Sequence, residues 1–223
     1  MIQDEEIFSN RNYPRLISFP RTGSHWLRLL IEAYTFVPCA VQSFFVKNPK
    51  KCWGIHIHNR MIKDPHPSEG PVINLGKVIY LYRNPVDVIW SNLVYDGKSP
   101  ELADVEIERL IHEYKDHLER WLGNPEDIKE ICYITYEDLK ENSIPTLKKV
   151  LHFLDFPPPD EGKLSKIYQF ANLHRSNLHF KHDPKIITNR QFGPQKKEYF
   201  EEKSRFIKKY KDKIEKEFEG LLK

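Results

Sequence analysis

Apolar residues recur along this chain with two periods, and the switches between them outline its elements. Leu16-Ile17-Ser18-Phe19 reads as a short buried strand over 15–19. A sharp polar turn on Gly23 and a helix from about 24 to 35, running into Leu-rich sequence, follow it. From Cys52 to Asn59 apolar and polar residues alternate, so Ile55 and Ile57 face one way and His56 and His58 the other, as in a strand ending at a site. Lys77 to Tyr82 is an unbroken β-prone run of the kind a central parallel strand needs; Arg83-Asn84-Pro85 ends it, and Pro85 opens a helix over 86–95. Helical period returns between Pro100 and Leu122, where apolar positions from Leu102 to Leu122 are separated by charges. A further strand, 131–135, precedes a helix carrying Leu147, Val150, Leu151 and Leu154. Asp160 caps another helix running to about Leu173. From 174 to 197 neither period holds, which predicts an irregular lid or ligand loop. A terminal helix, 198–222, collects Phe206, Tyr210, Ile214, Phe218 and Leu221 on one face.

Residues 1–14 read as a polar lead-in, 41–46 as a brief extended piece, and 63–76, with its prolines and glycines, as a loop. Strands alternating with helices predict an α/β three-layer sandwich, a central parallel sheet with helices on both faces, formed as a single domain over 1–223.

Composition narrows the class. With 39% apolar and 30% charged residues in 223, the chain has the profile of a globular domain able to bury a core without staples. No run approaches the roughly 18 apolar residues of a membrane span, and the acidic start lacks the basic and apolar regions of an export signal. Cys39, Cys52 and Cys132 are odd in number and lack metal-ligand spacing. A cytoplasmic protein without membrane attachment is therefore expected. The net charge of +3 is uneven: from His174 onward there are 14 Lys/Arg against 8 Asp/Glu, so the basic surplus belongs to the last fifth. That surplus suits either an anionic ligand or nucleic acid, or simply a solvated helix face.

The first strand-turn-helix is the leading candidate for chemistry. A helix start after a tight glycine turn aims N–H groups and the positive dipole end at one spot, and Arg21, Thr22 and Ser24 add charge and hydroxyls suited to a tetrahedral oxyanion. The plainer alternative is an ordinary turn capped by Ser. Gly-Lys-Ser/Thr is absent from the chain, so a P-loop nucleotide kinase lacks its lysine and its metal-binding hydroxyl. His56 and His58 are packed or solvated strand residues, a metal pair without a third ligand, or acid–base groups. Base-stacking aromatics on a sheet face are not evident, which counts against nucleic acid as partner.

Ser18-Phe19-Pro20-Arg21-Thr22-Gly23-Ser24-His25-Trp26-Leu27 together with Tyr82-Arg83-Asn84-Pro85-Val86-Asp87-Val88-Ile89-Trp90-Ser91 resembles the two signature segments of the sulfotransferase family. Thr135-Tyr136-Glu137-Asp138-Leu139 is similar to a third family segment. The resemblance covers about residues 15–155 and implies the P-loop NTPase-like sulfotransferase fold, with 3′-phosphoadenosine 5′-phosphosulfate as donor. It further implies that Arg21, Thr22, Gly23, Ser24, His25 and Trp26 hold the 5′ end of the donor, that Arg83 and Ser91 hold its 3′-phosphate, and that Tyr136 lies on the nucleoside side. His58 is the implied base, with His56 the runner-up, and Arg21 the transition-state cation in a place where many members carry lysine. The sequence departs from the family at the C-terminal closing segment, where only Asn189 to Lys197 is found, leaving Arg190 as the candidate phosphate ligand. Trp26 packs on adenine or in the core. Arg83 binds phosphate or merely pairs with Asp87. The reaction implied is sulfuryl transfer to a hydroxyl or amine of a small molecule or glycan, with no metal.

Overall fold

Period-two alternation in four parallel strands divides the core into two layers. The computed structural model describes residues 13–39, 44, 52–58, 75–97, 104–123, 128–182 and 197–222. The strands are β1 (Arg15–Ser18), β2 (Ile55–His58), β3 (Leu75–Tyr82) and β4 (Ile128–Thr135), in the order β2-β1-β3-β4 with every pairing parallel. Helices follow as α1 (Ser24–Thr35), α2 (Pro85–Tyr95), α3 (Asp104–Leu122), α4 (Tyr136–Glu141), α5 (Ser143–Phe153), α6 (Glu161–His182) and α7 (Lys197–Glu217).

Ile17, Val78 and Tyr80 point to one side, where Ile89, Trp90, Leu110, Tyr114, Trp121, Phe206 and Ile214 from α2, α3 and α7 cover them. Leu16, Ile79, Leu81, Cys132 and Ile134 point to the other, against Leu29, Leu30, Val150, Leu151 and Leu164 from α1, α5 and α6. Neighbours one residue apart thus serve different layers, as a pleated strand buried on both faces requires. The expected three-layer α/β architecture is the observed one.

The register levels the carboxyl ends of all four strands. Ser18 pairs with His58 on one side and with Leu81 on the other, and Tyr82 pairs with Thr135. The chain leaves β1 for β2 at one side of the sheet and leaves β3 for β4 at the other. A crevice therefore opens between the diverging loops after β1 and β3, the usual place for a ligand in an open α/β sheet.

Expected bounds shift in three places: β4 begins at Ile128, before the expected 131, α7 ends at Glu217, short of the expected 222, with 218–221 in turn, and α6 runs past its expected end. The helix ending near Leu173 continues as α6 to His182, two residues before Pro184. Loss of apolar period over 174–182 did not break the helix, because backbone helical geometry does not require an apolar stripe. Of the segment expected to be irregular over 174–197, residues 174–182 and Lys197 are helical, and 183–196 lies outside the described residues. So do the extended piece of 41–46, apart from Phe44, and most of the loop 63–76.

Candidate anion-binding site at the sheet's switch point

Backbone conformation shapes the turn after β1. Gly23 takes the N-cap position of α1 at φ 100°, and Trp26 and Leu27 donate their amides to its carbonyl at 2.9 and 3.2 Å. Ser24 is therefore the first helical residue and not the cap. A Cβ on Gly23 would lie 2.5 Å from Cδ2 of Tyr136, so glycine is demanded both by the left-handed backbone and by the ring pressed against it. Arg21, also left-handed at φ 71°, is the strained non-glycine residue of the turn. Thr22 is fully buried and its hydroxyl donates to the Phe19 carbonyl at 2.8 Å, so this side chain braces the turn from within. One turn along α1, burial lowers the pKa of Arg28. Glu32, equally enclosed, accepts the Phe44 amide at 2.9 and 3.1 Å.

Side chains shape the turn after β3. Asn84 caps α2, accepting from the Val86 and Asp87 amides at 2.9 and 3.4 Å, and Pro85 stands at the first helical position, where its missing N–H is not needed. Tyr114, fully buried on α3, fixes both backbone groups of Arg83: its hydroxyl accepts from Arg83 N at 3.0 Å and donates to Arg83 O at 2.7 Å. Burial pushes the Tyr114 phenol well up, with the bond to the Arg83 backbone working the other way. The adjacent Tyr80 phenol, raised by burial as well, hydrogen-bonds Nδ1 of His117 at 2.8 Å.

The two turns meet. Arg83 Nη1 donates to the Arg21 carbonyl at 3.2 Å, Arg21 Nε donates to Ser91 Oγ at 3.3 Å, and Asn92 Nδ2 reaches the Pro20 carbonyl at 3.3 Å. The Arg83 guanidinium lies 4.2 Å above the Tyr136 ring, whose edge closes on Gly23; Arg21 lies 4.8 Å above Tyr95. Asp87 is 3.7 Å from Arg83 Nη2 and 2.7 Å from Lys203 Nζ, so the Arg83–Asp87 pair read from sequence exists, but the carboxylate is shared. Arg83 Nε is buried without a hydrogen-bond partner among the described residues. An orphaned guanidinium donor beside a glycine turn at a helix start fits an incoming oxyanion.

Arg21, Gly23, Arg83, Ser91 and Tyr136, widely spaced in sequence, thus form one cluster. Ser24 is buried at the start of α1, and the His25 ring stands edge-on to Phe44, 6.4 Å away. Trp26 is 6% exposed and packs edge-on to Tyr168 in the α1 layer, which places its ring in the core. His56 and His58 lie on β2 level with Leu16 and Ser18; their side chains are outside the described set, as is Arg190.

Three residues escaped the sequence reading. Tyr114 fitted the apolar period of α3 and so looked like plain core. Glu137, whose carboxylate accepts the Asn84 amide at 3.3 Å, stood within a quoted segment without a role. Lys203 carried a usable signal: it falls on the apolar face of α7, four residues after Tyr199 and three before Phe206, where a lysine is out of pattern.

The fold and site define a three-layer α/β protein with a crevice at its topological switch point, lined by Arg21, Arg83 and Tyr136. The sequence model of the sulfotransferase domain matches residues 72–219, well over half of the chain, and the chain belongs to that family. Sulfotransferase 6B1 of Danio rerio is 26% identical over 176 residues, covering 66% of this chain and 57% of the relative. Sulfotransferase 2A6 of Rattus norvegicus is 26% identical over 198 residues, covering 73% and 66%. The matches to these two curated relatives thus span less than two thirds of their length. A solved structure, mouse sulfotransferase SULT7A1 complexed with PAP, superposes with a TM-score of 0.54 at 21% identity, over 74% of this chain and 65% of the other, and shows the shared fold. The family match begins after the first turn, so the meeting of Arg21 with Arg83 comes from the folded structure, independently of that match. No described helix is long and apolar enough to cross a membrane.

Proposed function

We propose that the chain transfers a sulfuryl group from 3′-phosphoadenosine 5′-phosphosulfate to a hydroxyl or amine on a small molecule or glycan. The observation that carries this is the 3.2 Å contact between Arg83 and the Arg21 carbonyl, which brings both anion-binding turns to one crevice. A carrier with phosphate at each end of its nucleoside needs two such turns within one molecule's reach. When bound, that carrier supplies an activated sulfuryl group.

The first turn, with Gly23 at the cap of α1, offers backbone N–H groups and the dipole of a helix start to the 5′ end; Ser24 and His25 line it, while Thr22 and the Trp26 ring brace it from behind. Arg83 and Ser91 take the 3′-phosphate, Arg83 through its orphaned Nε, and Tyr136 walls the nucleoside side. Arg190, outside the described residues, is the further 3′-phosphate ligand in this reading. Arg21 sets a fixed charge beside the bond that breaks, where charge develops on the departing phosphate. His58, at the carboxyl end of β2 level with Ser18, accepts the proton of the attacking hydroxyl; His56, two residues deeper along the strand, is the runner-up. No step requires a metal. We place the protein in the cytoplasm, in line with relatives named cytosolic sulfotransferases in Arabidopsis thaliana.

The test is incubation with radiolabelled donor and a panel of phenols, steroids, glycans and amines, with a His58→Ala variant alongside. Transfer to at least one acceptor class, lost in the variant while adenosine 3′,5′-bisphosphate still binds, is the expected result. An unchanged rate removes His58 from its role. Heat stabilisation by ATP with Mg²⁺ but not by the bisphosphate points to a nucleotide kinase instead.

A further inference from the structure

Asp87 sets a problem for an anion site. Its carboxylate stands four residues from Arg83 at the third position of α2, where it complements the helix dipole but also faces the arginine on which the phosphate must land. An arginine and a carboxylate left to themselves close into a fork of two short hydrogen bonds. Here they do not: the Arg83 Nη2 to Asp87 Oδ2 separation is 3.7 Å, and the guanidinium instead stacks on Tyr136 and donates to the Arg21 carbonyl. The other carboxylate oxygen, Oδ1, is bonded to Lys203 Nζ at 2.7 Å.

Lys203 is delivered there by packing. Trp90 of α2 donates its indole N–H to Tyr199 Oη at 3.0 Å and lies 5.3 Å from the Phe206 ring, so the stretch of α7 between those residues is held against α2. Both charged side chains are about two thirds or more buried, with 27% exposure for Lys203 and 31% for Asp87, so solvent screens the pair less than it would a surface ion pair.

We propose that Lys203 is a positioning residue for donor binding: by holding and neutralising Asp87 it keeps Arg83 turned toward the crevice and spares an incoming phosphate the repulsion of a bare carboxylate. The role is indirect, acting through Asp87, and it rests on the reading of Arg83 as the 3′-phosphate ligand. It also gives the basic C-terminal region a defined duty at the site.

The experiment is calorimetric titration of the full chain with adenosine 3′,5′-bisphosphate, using wild type, Lys203→Met, Lys203→Arg, Asp87→Asn, the Lys203→Met/Asp87→Asn double variant and Arg83→Met, each checked for folding by its thermal transition. Lys203→Met is expected to weaken binding about tenfold. Lys203→Arg keeps the charge and stays near wild type, and the double variant returns to within about twofold of wild type, because with the carboxylate gone Lys203 has nothing left to neutralise. Unchanged binding in Lys203→Met overturns the inference. So does a double variant as weak as Lys203→Met, which would mean that Lys203 meets the ligand directly or acts through the fold alone. Wild type that does not bind, or Arg83→Met that binds as well as wild type, removes the donor reading and this inference with it; loss in Arg83→Met beside normal Lys203→Met removes the inference alone.

Discussion

The turns after β1 and β3 border the same crevice, and they are held by opposite means. The first depends on backbone: two left-handed residues flanking Thr22, Arg21 and Gly23, the latter at the cap, and a tyrosine ring filling the space a side chain would need. The second depends on side chains: Asn84 caps it, Tyr114 grips its backbone from beneath, Glu137 accepts its amide, and Asp87 and Lys203 balance its charge. A turn made of backbone presents N–H groups at close range but tolerates almost no substitution. A turn made of side chains presents one aimed arginine and should degrade in steps as its supports are removed.

That contrast can be broken at several points. Gly23→Ala should be the most damaging change, because an added Cβ meets Tyr136 at 2.5 Å on a backbone that disfavours side chains; together these cost roughly 3 kcal/mol in urea unfolding, with bisphosphate binding lost. A variant that melts and binds like wild type would show that the first turn is not backbone-defined. Tyr114→Phe removes the partner of both Arg83 backbone groups and should cost about 2 kcal/mol, with weaker bisphosphate binding but β1's turn intact.

Buried phenols belong to the second turn's side of the sheet, so alkali should attack there first. Burial raises the Tyr80 and Tyr114 pKa values above their ordinary 10.0, so above pH 10 the unfolded chain releases those protons before the folded one does. Their contribution is complete below pH 10 and declines as pH rises, by about 1.4 kcal/mol per phenol per pH unit, and Tyr80→Phe should flatten the decline seen in denaturant titrations above pH 10. Asn84→Ala is the mildest change. Loss of its cap should cost about 1 kcal/mol in thermal or urea unfolding and leave the first turn untouched. If Asn84→Ala proved as damaging as Gly23→Ala, the stepwise picture of the second turn would fail.

Much of this was legible in the chain itself, because local rules govern it. Alternation in Leu16-Ile17 and Val78-Ile79-Tyr80-Leu81 set which residue serves which layer, Pro85 and Asn84 set where α2 begins, and Gly23 set a turn that only glycine accepts. Each depends on neighbours a few residues away, so reading along the sequence suffices. Where the local signal was mere loss of period, as over 174–182, it misled, since helical backbone geometry does not depend on an apolar stripe. Only the folded structure decided that Tyr114 holds Arg83, that Tyr136 fills the space over Gly23, that the Trp26 ring belongs to the core, and that a lysine 116 residues away in sequence sits on Asp87. Those contacts arise because parallel register levels the strand ends and because Trp90 locks α7 onto α2. Such long-range pairings leave no periodic trace, since a tyrosine or lysine that reaches across the fold is spelled the same as one that does not.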